Sequence, residues 1–160
     1  MTPKRLLGWL LAVMMMAGAA AAELKKQKFQ LGDWEQGIGY AQAVRVGNTL
    51  HVSGTVGAGA MPDAIKEAFT GLQKTLAAYG LTFQNVVKEN IFTTDLEALK
   101  QHAAIRREFY GNDFPAATWV QVARLWTPDH VIEVEVTAVF PDDPAPAGKP
   151  LAVPATPAPR

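Results

Sequence analysis

Cysteine is absent from all 160 residues, and serine occurs once, at Ser53. The first absence removes disulfides, thiolate nucleophiles, zinc–thiolate centres and iron–sulfur clusters from the available chemistry. The second leaves a serine hydrolase a single candidate, and Val52-Ser53-Gly54 is not the Gly-x-Ser-x-Gly elbow. An excess of one charge is lacking too: fifteen Lys and Arg balance fifteen Asp and Glu, so no global positive field draws the chain onto phosphates. A nucleic-acid partner is therefore not expected. The three histidines, His51, His102 and His130, include no pair at the four-residue spacing of a zincin, and no metal site is expected. Gly54 to Ala60 is glycine-rich, yet it has neither the Gly-Lys-Ser/Thr ending of a phosphate loop nor dinucleotide-binding spacing, and it reads as a connection into a helix.

What is present divides the chain into three. Residues 1–22 carry Lys4 and Arg5, then the apolar run Leu6 to Ala19 and the small residues Ala20-Ala21-Ala22, the pattern of a cleaved signal peptide. The alternative is a membrane anchor, but the run holds Gly8 and Gly18 and ends without a stop-transfer charge cluster. The expectation is a periplasmic or secreted protein with no stable membrane span after cleavage. Losing Lys4 and Arg5 leaves 13 basic residues (15 − 2) against 15 acidic ones, a net charge of −2. Residues 141–160 hold seven of the eleven prolines among alanines and read as a disordered tail. Residues 23–140 are expected to form the one globular domain.

Within that domain, Tyr40 to Val46 and Thr49 to Thr55 flank Gly47-Asn48, a hairpin signal. Pro62 and Asp63 open a helix whose Ile65, Ala68, Phe69, Leu72 and Leu76 recur at three- and four-residue steps until Gly80. Val86 to Thr93 reads as a strand, and Asp95 caps a second helix reaching Tyr110. Thr118 to Leu125 and Val131 to Phe140 read as an antiparallel pair around Pro128-Asp129. The order ββαβαββ predicts an α+β fold, a mixed sheet with two helices on one face. Its other face is left to pack against further copies of the chain, so a homo-oligomer is expected. Glu133 and Glu135 alternate with Ile132 and Val134, so periodicity alone makes them a solvated strand face.

The segment Phe114-Pro115-Ala116-Ala117-Thr118-Trp119-Val120, continuing to Leu125 and followed by Ile132-Glu133-Val134-Glu135, resembles the signature of the Rid (reactive intermediate deaminase, YjgF-type) family, also called endoribonuclease L-PSP. Gly39-Tyr40-Ala41-Gln42-Ala43 and the run Val46 to Gly54 are similar to two further blocks of that family. The resemblance spans Ile38 to Phe140 and implies a chorismate-mutase-like fold, a homotrimer with clefts between subunits, and hydrolysis of short-lived imines without metal or cofactor. Carried over residue by residue, it implies that Glu133 activates water and that Tyr40, Ser53, Ala117, Thr118 and Trp119 contact the substrate.

Several departures surround that cleft. Ala117 stands where the family has the arginine that grips the substrate carboxylate, and Trp119 where a small residue is usual. Gly39-Tyr40-Ala41 lacks the usual proline and serine, and the family's helical asparagine falls on Ala103. Arg106 and Arg124 are the two residues able to restore the lost charge from elsewhere. The resulting expectation is a Rid-family envelope protein that binds a small metabolite and hydrolyses a reactive imine or enamine through Glu133. The alternatives are a non-catalytic trimer that binds a ligand or partner and, more weakly, an endoribonuclease.

Overall fold

The computed structural model describes residues 24–141. The signal peptide read into residues 1–22, and all but the first residue of the Pro/Ala-rich tail, lie outside the described residues. Six strands form one mixed sheet: β1 (Lys26–Phe29), β2 (Ala43–Val46), β3 (Thr49–Ala58), β4 (Val86–Thr93), β5 (Ala116–Gln121) and β6 (His130–Val139), in the spatial order β1-β2-β3-β6-β4-β5. β4 and β5 are parallel, and the other neighbours are antiparallel. The helices are α1 (Asp33–Ile38), α2 (Met61–Ala78), α3 (Leu96–Gln101) and α4 (Ala103–Tyr110), with a 3₁₀ turn at Phe83–Asn85. The α+β class with its mixed sheet is therefore as the sequence indicates.

The core follows from two periods meeting. Every second residue of β6, from Ile132 through Val134 and Val136 to Ala138, is buried, as are Leu50 and Val52 of β3. The stripe Ile65, Ala68, Phe69, Leu72 and Leu76 of α2 is fully buried over that face. Each such Leu, Ile or Phe contributes about 1.5–3 kcal/mol through removal from water. Gly57 permits the close approach of helix and sheet, since a Cβ there would meet the Ala64 backbone (carbonyl carbon 2.6 Å, Cα 2.8 Å). Gly47 at the β2–β3 turn and Gly80 after α2 have φ of 60° and 70°, the left-handed region where glycine costs least.

Three local expectations change. β1 and α1, which precede the hairpin, are additional elements. The second helix is two helices, because the chain leaves helical geometry at His102 (φ −106°, ψ 13°), while Asp95 does cap α3 by accepting from the Ala98 N–H at 2.9 Å. β5 and β6 do not pair: the segment 122–129 carries the chain across β4, so β6 sits between β3 and β4 and β5 lies at the sheet edge. A tight hairpin needs only two to five loop residues, and this connection is longer.

Candidate functional site

Glu133 lies on the sheet face away from α2, where Val56 of β3 is its partner in register. Between Val52, which faces Val136, and Thr55, which faces Val134, β3 carries two residues against one on β6. This is a bulge, made by Ser53 and Gly54. It brings Gly54 directly against Glu133, and a Cβ at 54 would fall 2.7 Å from Glu133 Cδ and 2.8 Å from its Cγ. Ser53 Oγ donates to the Ala41 carbonyl oxygen at 2.7 Å, which ties the bulge to the segment entering β2.

That segment follows α1. Gly39 (φ 101°) ends the helix, and the Tyr40 N–H returns to the Glu35 carbonyl oxygen at 3.1 Å. Glu35 is fully buried, with Oε2 accepting from the Leu31 N–H at 2.9 Å. Trp34 and Tyr40 meet edge to face, their ring centroids 5.8 Å apart. The result is a cavity of about 320 Å³ between α1, the β3 bulge and the start of β6. Tyr40, Ser53 and Glu133, three of the residues expected from sequence, line it together.

Gly54 of the bulge, Trp34, Ile38, Val56, Trp126 and His130 complete the cavity, and the last five are not identified by sequence reasoning. Trp34 and Trp126 stand in stretches without period, so residue order does not mark them; in the fold both expose a large apolar side chain, 56% and 71% accessible. His130 opens β6 and lines the cavity with Glu133, its Nδ1 buried and without a partner among the described residues.

Burial pushes the Glu133 carboxyl above its ordinary value, and the neighbouring Glu135 raises it further, against an opposing effect of His130. The Tyr40 phenol is also raised, first by burial and then by Glu35 and Glu133. Glu135 is engaged elsewhere, accepting from Asn90 Nδ2 at 2.7 Å. A carboxylate of raised basicity in a cavity walled in part by Trp34, Tyr40 and Trp126 is equipped to take a proton from water.

The β5 residues stand apart from this cavity in the single chain. Ala117 pairs with Glu89 and is exposed at the sheet edge; Thr118, on the opposite face, accepts from Lys88 Nζ at 2.7 Å. Trp119 is not among the residues that line the cavity of the single chain. It points to the helix side, where its Nε1 donates to Glu89 Oε1 at 3.0 Å. Arg106 Nε donates to both oxygens of the same carboxylate at 2.8 and 3.0 Å, and Tyr110 Oη donates at 2.8 Å. Glu89 is fully buried and Arg106 is 6% exposed. Arg106 is thus committed to a buried charge pair and is not free to replace the missing cleft arginine. Arg124, by contrast, borders a groove of about 430 Å³ that adjoins the cavity and shares Glu133 and Trp126 with it.

The sequence matches the family described as Endoribonuclease L-PSP over residues 34–140. It is 36% identical over 95 residues to a 2-iminobutanoate/2-iminopropanoate deaminase of Dermatophagoides farinae, covering 54% of this chain and 74% of that protein. The human protein of the same name is 30% identical over 109 residues, covering 62% and 79%. Among solved structures, a YjgF-family member from Mycobacterium tuberculosis superposes with a TM-score of 0.67 at 26% identity, over 72% of this chain and 100% of that one.

Proposed function

The chain belongs to the Rid/YjgF family, and on that premise we propose that it hydrolyses a reactive imine or enamine in the cavity around Glu133, using its own side chains. The observation that carries this reading is the juxtaposition of Glu133, raised in basicity by burial, with the bulge at Ser53-Gly54 that leaves room for its carboxylate. Relatives named as iminobutanoate and iminopropanoate deaminases support the reaction class.

In this mechanism Glu133 accepts a proton from water as the oxygen attacks the carbon of the protonated imine, and the C=N electron pair moves to nitrogen, leaving an amino group there. The protonated Glu133 then returns the proton to the carbinolamine nitrogen. The C–N bond breaks, ammonia leaves, and the hydroxyl oxygen forms the carbonyl as its proton is released. Tyr40 bounds the reacting carbon on the side of α1. The protein works as a homotrimer in the periplasm or outside the cell, its open sheet face covered by neighbouring copies.

Glu133→Gln keeps the side chain's shape and removes its basicity. Turnover of freshly generated 2-iminobutyrate and of an uncarboxylated imine is expected to fall to the spontaneous rate while the oligomer stays intact; retained turnover removes Glu133 from the reaction. The absence of the family arginine at Ala117 favours one second reading, a ligand-binding trimer without chemistry. Thermal stabilisation by a ligand with no product would identify it.

A further inference from the structure

The cavity around Glu133 has a consistent chemical character. No Lys or Arg is among its lining residues, and its one carboxylate is Glu133. A second carboxylate, that of Glu35, is fully buried next to Tyr40, and a third, that of Glu135, is close enough to Glu133 to raise its proton affinity. Against these three acidic groups the described lining of the cavity sets His130 and no Lys or Arg, and Arg124 borders only the adjoining groove that shares Glu133, so acidic groups outnumber basic ones around the site. The walls are the rings of Trp34, Tyr40 and Trp126 with the apolar chains of Ile38 and Val56. Aromatic faces attract cations through the ring quadrupole, more strongly once water is excluded. An anionic ligand meets repulsion here, and a cation with a flat apolar body meets attraction from both the carboxylate and the rings.

We infer that the substrate of this cavity is a protonated imine without a carboxylate, derived from an apolar or aromatic primary amine and held by Glu133 and the faces of Trp34, Tyr40 and Trp126. The chemistry rests on the hydrolase reading above, but the recognition does not. The reaction is R₂C=NH₂⁺ + H₂O → R₂C=O + NH₄⁺, balanced in atoms and charge, with no oxidant required. The reaction that supplies such a substrate is the two-electron oxidation of a primary amine, which leaves the imine. The loss of the family arginine at Ala117 is then a change of specificity, because a substrate without a carboxylate needs no guanidinium. Arg124, in the adjoining groove, donates to the Trp126 carbonyl oxygen at 3.4 Å and is not among the residues lining the cavity itself.

The test uses the full chain and four probes. Benzylammonium and zwitterionic phenylglycine are titrated against tryptophan fluorescence. The imine formed from benzylamine by an amine oxidase, and 2-iminobutyrate formed by an amino-acid oxidase, are followed by ammonia release above the spontaneous rate. Benzylammonium is expected to bind at least tenfold more tightly than phenylglycine, and to weaken at least tenfold in Glu133→Gln and in the exposed-site variant Trp126→Leu. The benzylamine-derived imine is expected to turn over at least tenfold faster than 2-iminobutyrate, with Arg124→Ala unchanged. Equal or faster turnover of 2-iminobutyrate, or phenylglycine binding that disappears in Arg124→Ala, overturns the ligand class and leaves the hydrolase reading standing. Benzylammonium binding that depends on Glu133, with neither imine hydrolysed, does the reverse. Neither binding nor turnover ends both.

Discussion

Replacing Arg106 by Met tests whether that arginine holds the fold together or serves a ligand. Arg106 supplies both Nε contacts to Glu89, at 2.8 and 3.0 Å, and its guanidinium lies 4.6 Å from the Tyr110 ring centroid and 5.2 Å from that of Trp119. Met preserves much of the volume but leaves a fully buried carboxylate with no countercharge. Removing one partner of a buried pair typically costs about 3–5 kcal/mol. Tyr110 and Trp119 still donate one hydrogen bond each to Glu89, so the low end, about 3 kcal/mol, is expected. For a domain of this size, that corresponds to a fall of roughly 10–15 °C in melting temperature. Adding Glu89→Gln removes the stranded charge and keeps an acceptor for Tyr110 and Trp119, so the double variant is expected to be more stable than Arg106→Met alone. Thermal unfolding at one fixed protein concentration measures all four members of the cycle. A drop below about 1 kcal/mol for Arg106→Met, or no recovery in the double variant, would refute the assignment of Arg106 to the fold.

Gly54→Ala places a methyl group on the Glu133 carboxylate, the mobile end of a side chain. It should cost only about 1 kcal/mol of stability while lowering kcat/KM on the order of 10²-fold, as expected for an ångström-scale displacement; steady-state rates beside a melting curve separate the two effects. The Glu133 proton affinity is raised on folding, so the cost of its charge is absent below the unfolded value of 4.5 and fully present above the folded value. Glu133→Gln should therefore be more stable than wild type at neutral pH and level with it well below 4.5, in chemical denaturation at the two pH values. Wild-type kcat/KM should fall as pH drops through the raised Glu133 value, because the protonated acid no longer accepts from water. Light scattering of the purified protein at micromolar concentration is expected to give a trimer, and a monomer mass would remove the proposed assembly.

Much of the frame is legible in residue order alone. The stripe Ile65 to Leu76 announces α2, and the alternation Ile132-Glu133-Val134-Glu135 announces β6 and states which of its side chains enter the core. What alternation does not state is a strand's neighbour. Thr118 to Leu125 reads as a strand, but its parallel partner lies beyond two helices, and the antiparallel pairing with β6 does not occur. The side on which Trp119 falls follows from that pairing: in register with Ile91, it shares the helix face with Glu89 and completes a buried network. The cavity is half legible. Tyr40, Ser53 and Glu133 carry family blocks, whereas Trp34 sits in the six-residue α1 and Trp126 in the irregular segment before β6, and the destination of both depends on long-range packing.

The bulge at Ser53-Gly54 has a consequence for chain length. Take Gly54 out, and β3 alternates without interruption: Val52 still faces Val136, Thr55 still faces Val134, and Gly57 still opposes Ile132. No residue further along changes sides, so the sheet as a sheet has no use for the extra position. Its effect falls on Glu133, beside which it sets a stretch of backbone bearing no side chain. A one-residue deletion here should yield a chain that still folds and has lost its ligand, which locates, at the level of a single codon, where the architecture stops being scaffold and becomes site.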